Sequence, residues 1–534
     1  MYKVLVSDPI SEKGLAKLRE AGDVEVDVRT GLSPQELAAI IGEYDALIVR
    51  SQTKVTAELI NAGRRLKVIG RAGVGVDNID VAAATSRGII VLNAPEGNTI
   101  SAAEHTWAML LALARQIPDA CASLKAGQWD RKRFLGVELA GKVLGVIGFG
   151  RIGSEVARRA QGFRMHVLAY DPFLSLERAE AMGVEMVELE ELFRRSDFIT
   201  VHTPMTPETR HLIGERQLAM MKDGVRIVNV ARGGIIDEAA LLAALESGKV
   251  AGAALDVFEE EPPPASSPLI RHPRVVVTPH LGASTVEAQE NVAVDVAEEL
   301  LKALRGEAFK NAVNLPSLRP EMLAKLRPYL DLGERLGLFL SQLVSGRLHE
   351  VEIAYAGALT ELEVTPVTTA ILKGLLTPVL GDEVNVVNAP WLAKERGIRV
   401  AETKVANGED YRNLISVQAA TDREKVQVRG AIFGKNEPRL VQVDGYDVDV
   451  SPEGYFLVTR HLDKPGMIGR VGTILGEAGV NIAAMQVGRR EMGGRAIMLL
   501  AVDSAIPAEV LERIARVEGI QEARLVHVAV DGSR

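Results

Sequence analysis

A bed for a pyrophosphate, a cation for a carboxylate, a proton acceptor and a group to orient it can each be picked out of this chain. Gly148-Phe149-Gly150-Arg151-Ile152-Gly153 follows the apolar run Lys142 to Ile147, and Asp171 closes a second apolar run 18 residues after Gly153. The first glycine permits a tight turn, the second lets backbone approach a pyrophosphate, and the third lets helix pack closely on strand. A helix beginning near Arg151 directs free N–H groups and its positive dipole end at the phosphates. Asp171 is suited to accept hydrogen bonds from the adenosine ribose and to repel a 2′-phosphate, which favours NAD over NADP.

Oxidising a hydroxy acid with NAD needs a base for the hydroxyl proton, a partner for that base and a cation for the carboxylate. In an open α/β sheet these belong on loops at the carboxyl ends of strands. Val230-Ala231-Arg232-Gly233-Gly234 follows the run Arg226 to Asn229 and sets an arginine among small residues. Glu259-Glu260-Glu261-Pro262 follows Asp256, and residue chemistry alone does not rank its three carboxylates. Pro279-His280-Leu281-Gly282 follows Val275 to Thr278 and presents an imidazole able to take and return a proton near neutral pH. Of the nine histidines, His202 at a strand end is the nearest rival. His105, within a helical stretch, and His166, in the run leading to Asp171, read as packing residues.

Strands and helices must carry these loops. Residues 1 to about 95 alternate apolar runs (Lys3 to Ser7, Ala46 to Val49, Leu66 to Gly70, Ile89 to Leu92) with helical segments. That alternation predicts a parallel sheet with helices on both faces. A helix is predicted over Ser101 to Arg115, then the dinucleotide unit, then further strands at Phe198 to His202, Arg226 to Asn229, Gly252 to Leu255 and Val275 to Thr278. Gly282 to Arg305 reads as one long helix returning the chain to the first sheet. The predicted fold is α/β: a discontinuous unit of residues 1–95 with 282–316, and a nucleotide-binding unit of 96–281 inserted within it. Proline-rich punctuation at Pro316 to Pro320 opens an α+β unit, 317–452, with a helix over Leu332 to Val344 and strands at Val351 to Ala356 and Lys425 to Phe433. After Pro452-Glu453-Gly454, residues 453–534 read strand (Tyr455 to Thr459), helix (Met467 to Ala478), strand (Ile482 to Arg489), strand (Ala496 to Val502), helix (Ala508 to Arg516), strand (Ala523 to Val530), the order of a ferredoxin-like βαββαβ unit.

Composition narrows the function classes. The 534 residues are 47% hydrophobic and 25% charged, as in soluble globular proteins. No apolar run is long enough to span a bilayer, and the start lacks the profile of a secretory signal. The single cysteine, Cys121, rules out an intrachain disulfide and a cysteine-based metal cluster, so a cytoplasmic location and no metal are expected. A net charge of −9 argues against a nucleic-acid partner.

Three runs carry a family resemblance. Val228 to Asp237, Leu255 to Phe258 with Glu261-Pro262, and Thr278 to Thr285 resemble motifs of the D-2-hydroxyacid dehydrogenase family, a likeness covering residues 1 to about 315. It implies two Rossmann-like doubly wound domains, with Arg232 as substrate anchor, Glu261 as the histidine's partner and His280 as acid/base. It also implies NAD contacts at Gly148, Gly150, Arg151, Ile152, Gly153, Asp171, Thr203, Val230, Ala231, Arg232, Asp256, His280, Gly282 and Ala283. Val49 to Lys54, Gly70 to Asn78 and Asn98 to Glu104 resemble the branch that oxidises 3-phospho-D-glycerate to 3-phosphohydroxypyruvate, the first step of serine synthesis. In that reading Arg50, Ser51 and Asn98 hold the phosphate, and backbone N–H groups of Val74 and Gly75 hold the carboxylate. Reduction of another 2-oxo acid (glyoxylate, 2-oxoglutarate) and NAD sensing without turnover are the alternatives. Trp129 to Arg133, with Arg131 and Lys132, reads as either a solvated run or, preferably, a patch reaching a neighbouring subunit's site.

The carboxyl-terminal third has its own resemblance. Asp463 to Gly469 and Gly479 to Ile482 resemble an ACT domain, an amino-acid-sensing module, while 321–451 resemble in position the intervening domain of the long-form enzymes. Serine is then the expected effector, its ammonium on Asp463 and its carboxylate on Asn481, with modules paired in a homodimer or homotetramer. Truncation before Tyr455 is expected to spare catalysis and abolish serine inhibition.

Overall fold

A computed structural model describes residues 1–316, 320–405, 411–434 and 436–529. The punctuation expected at Pro316 to Pro320 lies mostly outside the described residues, as does Val530. Among the described residues no helix is long and apolar enough to cross a membrane.

The first unit runs β1 (Tyr2–Val6), α1 (Glu12–Arg19), β2 (Val24–Val28), α2 (Pro34–Ile40), β3 (Ala46–Val49), α3 (Ala57–Ala62), β4 (Val68–Arg71), α4 (Val81–Ser86) and β5 (Ile90–Asn93). All pairings are parallel in the order β2-β1-β3-β4-β5, so the sheet reverses its winding beside β1 and β3. In such sheets the crevice beyond the carboxyl ends, at the reversal, is where ligands bind.

The second unit follows: α5 (Thr99–Arg115), α6 (Ile117–Lys125), β6 (Val143–Ile147), α7 (Arg151–Gly162), β7 (His166–Tyr170), α8 (Leu176–Ala181), β8 (Glu185–Met186), α9 (Leu189–Arg195), β9 (Phe198–Val201), α10 (Glu215–Met220), β10 (Val225–Asn229), α11 (Glu238–Glu246), β11 (Val250–Leu255) and β12 (Val275–Val277). Its parallel order is β12-β11-β10-β9-β6-β7-β8, which reverses between β6 and β9. The glycine turn leaves β6 at that point. Buried both above and below, the central strands are nearly continuous apolar runs such as Leu144 to Ile147 and Phe198 to Val201.

The chain then returns to the first sheet through α12 (Val286–Arg305). Val292, Val296 and Leu300 of α12 pack on Val4, Val6, Ile48, Val68 and Leu92. The helix starts four residues later than Gly282, because Thr285 caps it by accepting the Ala288 N–H (3.1 Å) and leaves Gly282 to Ser284 as loop.

Next come α13 (Pro320–Leu343), β13 (Leu348–Gly357), α14 (Thr365–Leu380), α15 (Ala389–Glu395), β14 (Arg399–Val405), β15 (Asn413–Thr421), β16 (Lys425–Phe433), β17 (Glu437–Val443) and β18 (Tyr446–Val450). The six strands form a mixed sheet, β14-β13-β15-β16-β17-β18. The helix predicted from Leu332 begins at Pro320 and passes through Pro328. The last unit has β19 (Gly454–Leu462), α16 (Met467–Glu477), β20 (Ile482–Arg489), β21 (Arg495–Val502), α17 (Ala508–Ala515) and β22 (Ile520–Val528), in the antiparallel order β20-β21-β19-β22. Its final strand starts earlier than expected because Ile520 pairs with His461.

These last two units share one core. Leu332, Leu336, Phe339 and Leu343 of α13 cluster with Val417 and Val428 of the six-stranded sheet and with Phe456, Val458, Leu499 and Val526 of the four-stranded one. Phe339 meets Phe456 edge to face at 5.7 Å, an arrangement worth about 0.5–1.5 kcal/mol beyond area burial.

Candidate active site

Gly148 takes φ 87°, and a Cβ there would sit 2.7 Å from the His202 carbonyl oxygen, so the turn demands glycine. A Cβ on Gly153 would overlap the Gly148 carbonyl oxygen, whereas one on Gly150 would meet nothing within 4 Å. Two glycines thus pack the turn and the third leaves an open face. Gly150 caps α7 with no side-chain bond to its first N–H groups, leaving them free for an anion. Asp171 secures the turn through Oδ2, which accepts the Phe149 N–H (2.7 Å), while Oδ1 accepts the Phe173 N–H (2.8 Å). Arg151 lies at the mouth with Nη2 3.4 Å from Glu96, and Ile152 is half-buried. Thr203, just beyond β9, has a buried Oγ1 without a partner. An open glycine face, free helix N–H groups, an acid at the end of β7 and an unpaired hydroxyl fit a dinucleotide.

At the ends of β10, β11 and β12 the three predicted groups converge. His280 Nδ1 lies 2.7 Å from Glu261 Oε2, and Glu261 Oε1 accepts the Phe258 N–H (3.1 Å). Burial pushes the Glu261 carboxyl up, but the His280 bond, the Phe258 N–H and the Arg232 charge outweigh it and hold it below its ordinary value. It therefore stays ionised and fixes the imidazole by Nδ1, leaving Nε2 for a substrate. Arg232 donates from Nε to Asp77 Oδ2 (3.1 Å) and from Nη1 to the Ala231 carbonyl (2.7 Å). Its loop is pinned by buried Asn229, which donates to the Arg232 carbonyl (2.8 Å) and accepts the Ala231 N–H (3.0 Å). Val230 lies against Gly282, whose Cβ would meet Val230 Cγ1 at 3.2 Å, and Ala283 follows half-buried.

The other histidines separate on burial. Burial pushes His202 down to about 3, so it stays neutral and cannot return a proton near pH 7. Its ring bonds Thr200 Oγ1 at 3.0 Å. His166 is exposed and not a packing residue, because β7 begins there at a sheet end. His105 is not simply packed either: Nε2 lies 3.2 Å from both Asp256 Oδ1 and Thr278 Oγ1.

Arg50 and Arg232 stand near a third guanidinium, Arg71, at the end of β4. Burial and then the charges of Arg232 and Arg50, partly offset by Asp77 and Asp8, push Arg71 down to about 10, still charged at neutral pH. Its Nε is buried without a partner, as is Asn98 Oδ1. Buried Asp8 holds the Arg50 loop by accepting the N–H groups of Arg50 (2.6 Å) and Thr53 (3.1 Å), and leaves Ser51 exposed. Gly75 admits Arg232 only because it has no Cβ, and Val74 presents its carbonyl to Asn93 Nδ2 (2.6 Å). Sequence reasoning passed over Arg71, although the strand-end test that found Arg232 applies to it equally.

The effector candidates do not meet within one chain. Asp463 Oδ2 accepts from Arg489 Nη1 (3.0 Å), and Asn481 Nδ2 donates to Asp503 Oδ2 (2.6 Å). Trp129 is 79% exposed and Leu135 85%, with Arg131 and Lys132 exposed between them.

Two parallel sheets bridged where Arg232 of one meets Asp77 of the other, with a histidine–glutamate pair and a dinucleotide turn at the strand ends of the second, define the D-isomer-specific 2-hydroxyacid dehydrogenase class. Residues 107–282 match the family described as "D-isomer specific 2-hydroxyacid dehydrogenase, NAD binding domain", so NAD is the cofactor. Residues 325–444 match the "D-3-phosphoglycerate dehydrogenase intervening domain" and 455–519 the "ACT domain". A curated protein of Methanocaldococcus jannaschii, "D-3-phosphoglycerate dehydrogenase", is 51% identical over 99% of this chain and 100% of its own length. One of Archaeoglobus fulgidus with the same name is 50% identical over 98% and 100%. The D-lactate dehydrogenase of Aquifex aeolicus, solved with NAD and lactic acid, aligns with TM-score 0.52 at 30% identity, covering 59% of this chain and 100% of that one. The chain belongs to the D-3-phosphoglycerate dehydrogenase family.

Proposed function

We propose that the chain oxidises 3-phospho-D-glycerate to 3-phosphohydroxypyruvate with NAD, opening serine synthesis. Residues 1–95 with 282–316 bind substrate, 96–281 bind NAD, and 317–452 and 453–534 regulate. The observation that carries the reading is the His280–Glu261 pair at 2.7 Å with Arg232 beside it. Arg232 and the N–H groups of Val74 and Gly75 hold the carboxylate. Arg50, Ser51, Asn98 and Arg71 receive the phosphate, whose two charges offset the crowding of like guanidinium groups. His280 Nε2 takes the proton of the C2 hydroxyl, and the Glu261 carboxylate stabilises the imidazolium that forms. Bound NAD would supply the hydride acceptor for C2. Gly148, Gly150 and Gly153 with Arg151 and Ile152 would hold its pyrophosphate and Asp171 its adenosine ribose, with Thr203, Val230, Ala231, Asp256, Gly282 and Ala283 completing its site.

Serine is the proposed effector, bound between Asp463 and Asn481 of paired terminal modules in a homodimer or homotetramer. Asp463 lies beside Gly494 and Asn481 beside Asp503, at opposite ends of β21, which supports a site completed by a second copy. NADH absorbance followed over a panel of D-2-hydroxy acids, with and without serine, tests the reading. Turnover on 3-phospho-D-glycerate that serine suppresses is expected. Turnover confined to the products of glyoxylate or 2-oxoglutarate reduction overturns the phosphate assignment, and none on any acid favours an NAD sensor.

A further inference from the structure

The turn that carries His280 is strained and held from one side. His280 takes φ 55°, a left-handed conformation that costs a non-glycine residue on the order of 1 kcal/mol and persists only where its surroundings impose it. Asp256 imposes it. Its backbone carbonyl accepts the His280 N–H (2.9 Å), Oδ1 accepts the Leu281 N–H (2.7 Å), and Oδ2 accepts the Gly282 N–H (2.9 Å). Successive N–H groups converging on one carboxylate make an anion nest, here filled by the protein itself.

Asp256 is wholly buried, and a buried carboxylate is costly unless its oxygens are bonded. Two side chains complete the set on Oδ1: the Thr278 hydroxyl (2.6 Å) and the His105 Nε2–H (3.2 Å). His105 lies on α5, and so does Ser101 one turn earlier, whose Oγ donates to the Gly282 carbonyl (2.9 Å). Residues four apart share one helix face, so one stripe of α5 grips the turn at both its acid and its backbone.

We propose that His105 is a positioning residue for the acid/base histidine: by bonding Asp256 it fixes the turn that aims His280 at Glu261. The proposal rests on the reading of His280 and Glu261 given above. It makes α5 the support of a reacting group that α5 itself never touches.

His105→Leu keeps the bulk and loses the donor, and His105→Gln restores an N–H near the same place. A loosened turn misplaces His280 rather than the hydroxy acid. The expected result is a fall in kcat of about tenfold or more in His105→Leu, with the KM for the hydroxy acid within about twofold, as loss of orientation predicts. His105→Gln should recover kcat to within about threefold of the parent. Parent-like kcat in His105→Leu overturns the proposal. So does equal loss in the Leu and Gln variants, which would mean packing alone, or a loss borne wholly by the KM for NAD. Should His105→Leu not fold, His105→Asn, too short to reach Asp256, is read the same way. His280→Ala separates the two failures. Retained turnover there overturns the site reading and this inference together, whereas loss there beside parent-like His105→Leu overturns the inference alone.

Discussion

Asp171 holds its loop with both oxygens, Oδ2 accepting the Phe149 N–H and Oδ1 the Phe173 N–H. In the proposed NAD site the same acid would face the adenosine ribose and repel a 2′-phosphate. Asp171→Ser should therefore erode the preference for NAD over NADP by about tenfold or more, the effect of relieving one close like-charge clash. The ratio of the two kcat/KM values checks this; an unchanged ratio means another group discriminates. Arg232, His280 and a glutamate of the Glu259 to Glu261 run were legible because each lies on a loop beyond a predicted strand, and parallel strands bring their ends together. The choice of Glu261 over Glu259 was not. It depends on which carboxylate the loop turns toward His280, and Glu259 turns instead to His211 at 3.1 Å. Arg71 was overlooked although it ends a predicted strand, whereas His105 was read as packing because its partner Asp256 lies on another element, and one helix's residues do not reveal its neighbours.

At the scale of elements, the dinucleotide turn is set by backbone meeting backbone. Because a methyl on Gly153 would run into the Gly148 carbonyl, Gly153→Ala should cost about 1–3 kcal/mol, as overpacking does. It should also lose the rise in melting temperature that NAD gives the parent. Retention of that rise would show that the turn can yield. Strands such as Lys425 to Phe433 were legible to the residue, since alternation marks a strand buried on one face; Ile482 to Arg489 matched its bounds too, although as an edge strand it stays largely exposed. The start of α13 was not. A proline within a helical pattern ordinarily reads as a stop, yet α13 runs through Pro328, and Leu326 and Leu332 on either side sink into one core.

Across the whole molecule the two carboxyl-terminal units behave as one body. Cutting before Tyr455 would strip Phe456, Val458, Leu499 and Val526 from the α13 core. The truncated chain should then melt lower than the parent and aggregate, contrary to the expectation of a separable module. Equal thermostability would sink this. Asn481→Ala is the better test of the proposed effector site, since it leaves the core intact. A charged seam runs beside that core. Glu424 accepts from Ser345 N–H (2.8 Å) and from Arg460 Nη1 (3.2 Å), and Arg524 donates to Ser345 Oγ (2.6 Å). Burial raises the Glu424 carboxyl, but the Ser345 bonds and the Arg460 charge prevail and hold it below its ordinary 4.5. A depressed acid stabilises fully above its unfolded value, and that contribution is lost as pH falls through the folded one. Melting temperature should thus fall more steeply below about pH 4.5 in the parent than in Glu424→Gln, the window set by the ordinary carboxylate range. Parallel curves would refute it.

The double allegiance of α13 bears on descent. A new sensor could not be grafted in place of the last eighty or so residues without a matching helical surface to seat it. The stretch 320–528 carries both surfaces of that core, and swaps that respect those limits are the ones that should yield folded hybrids.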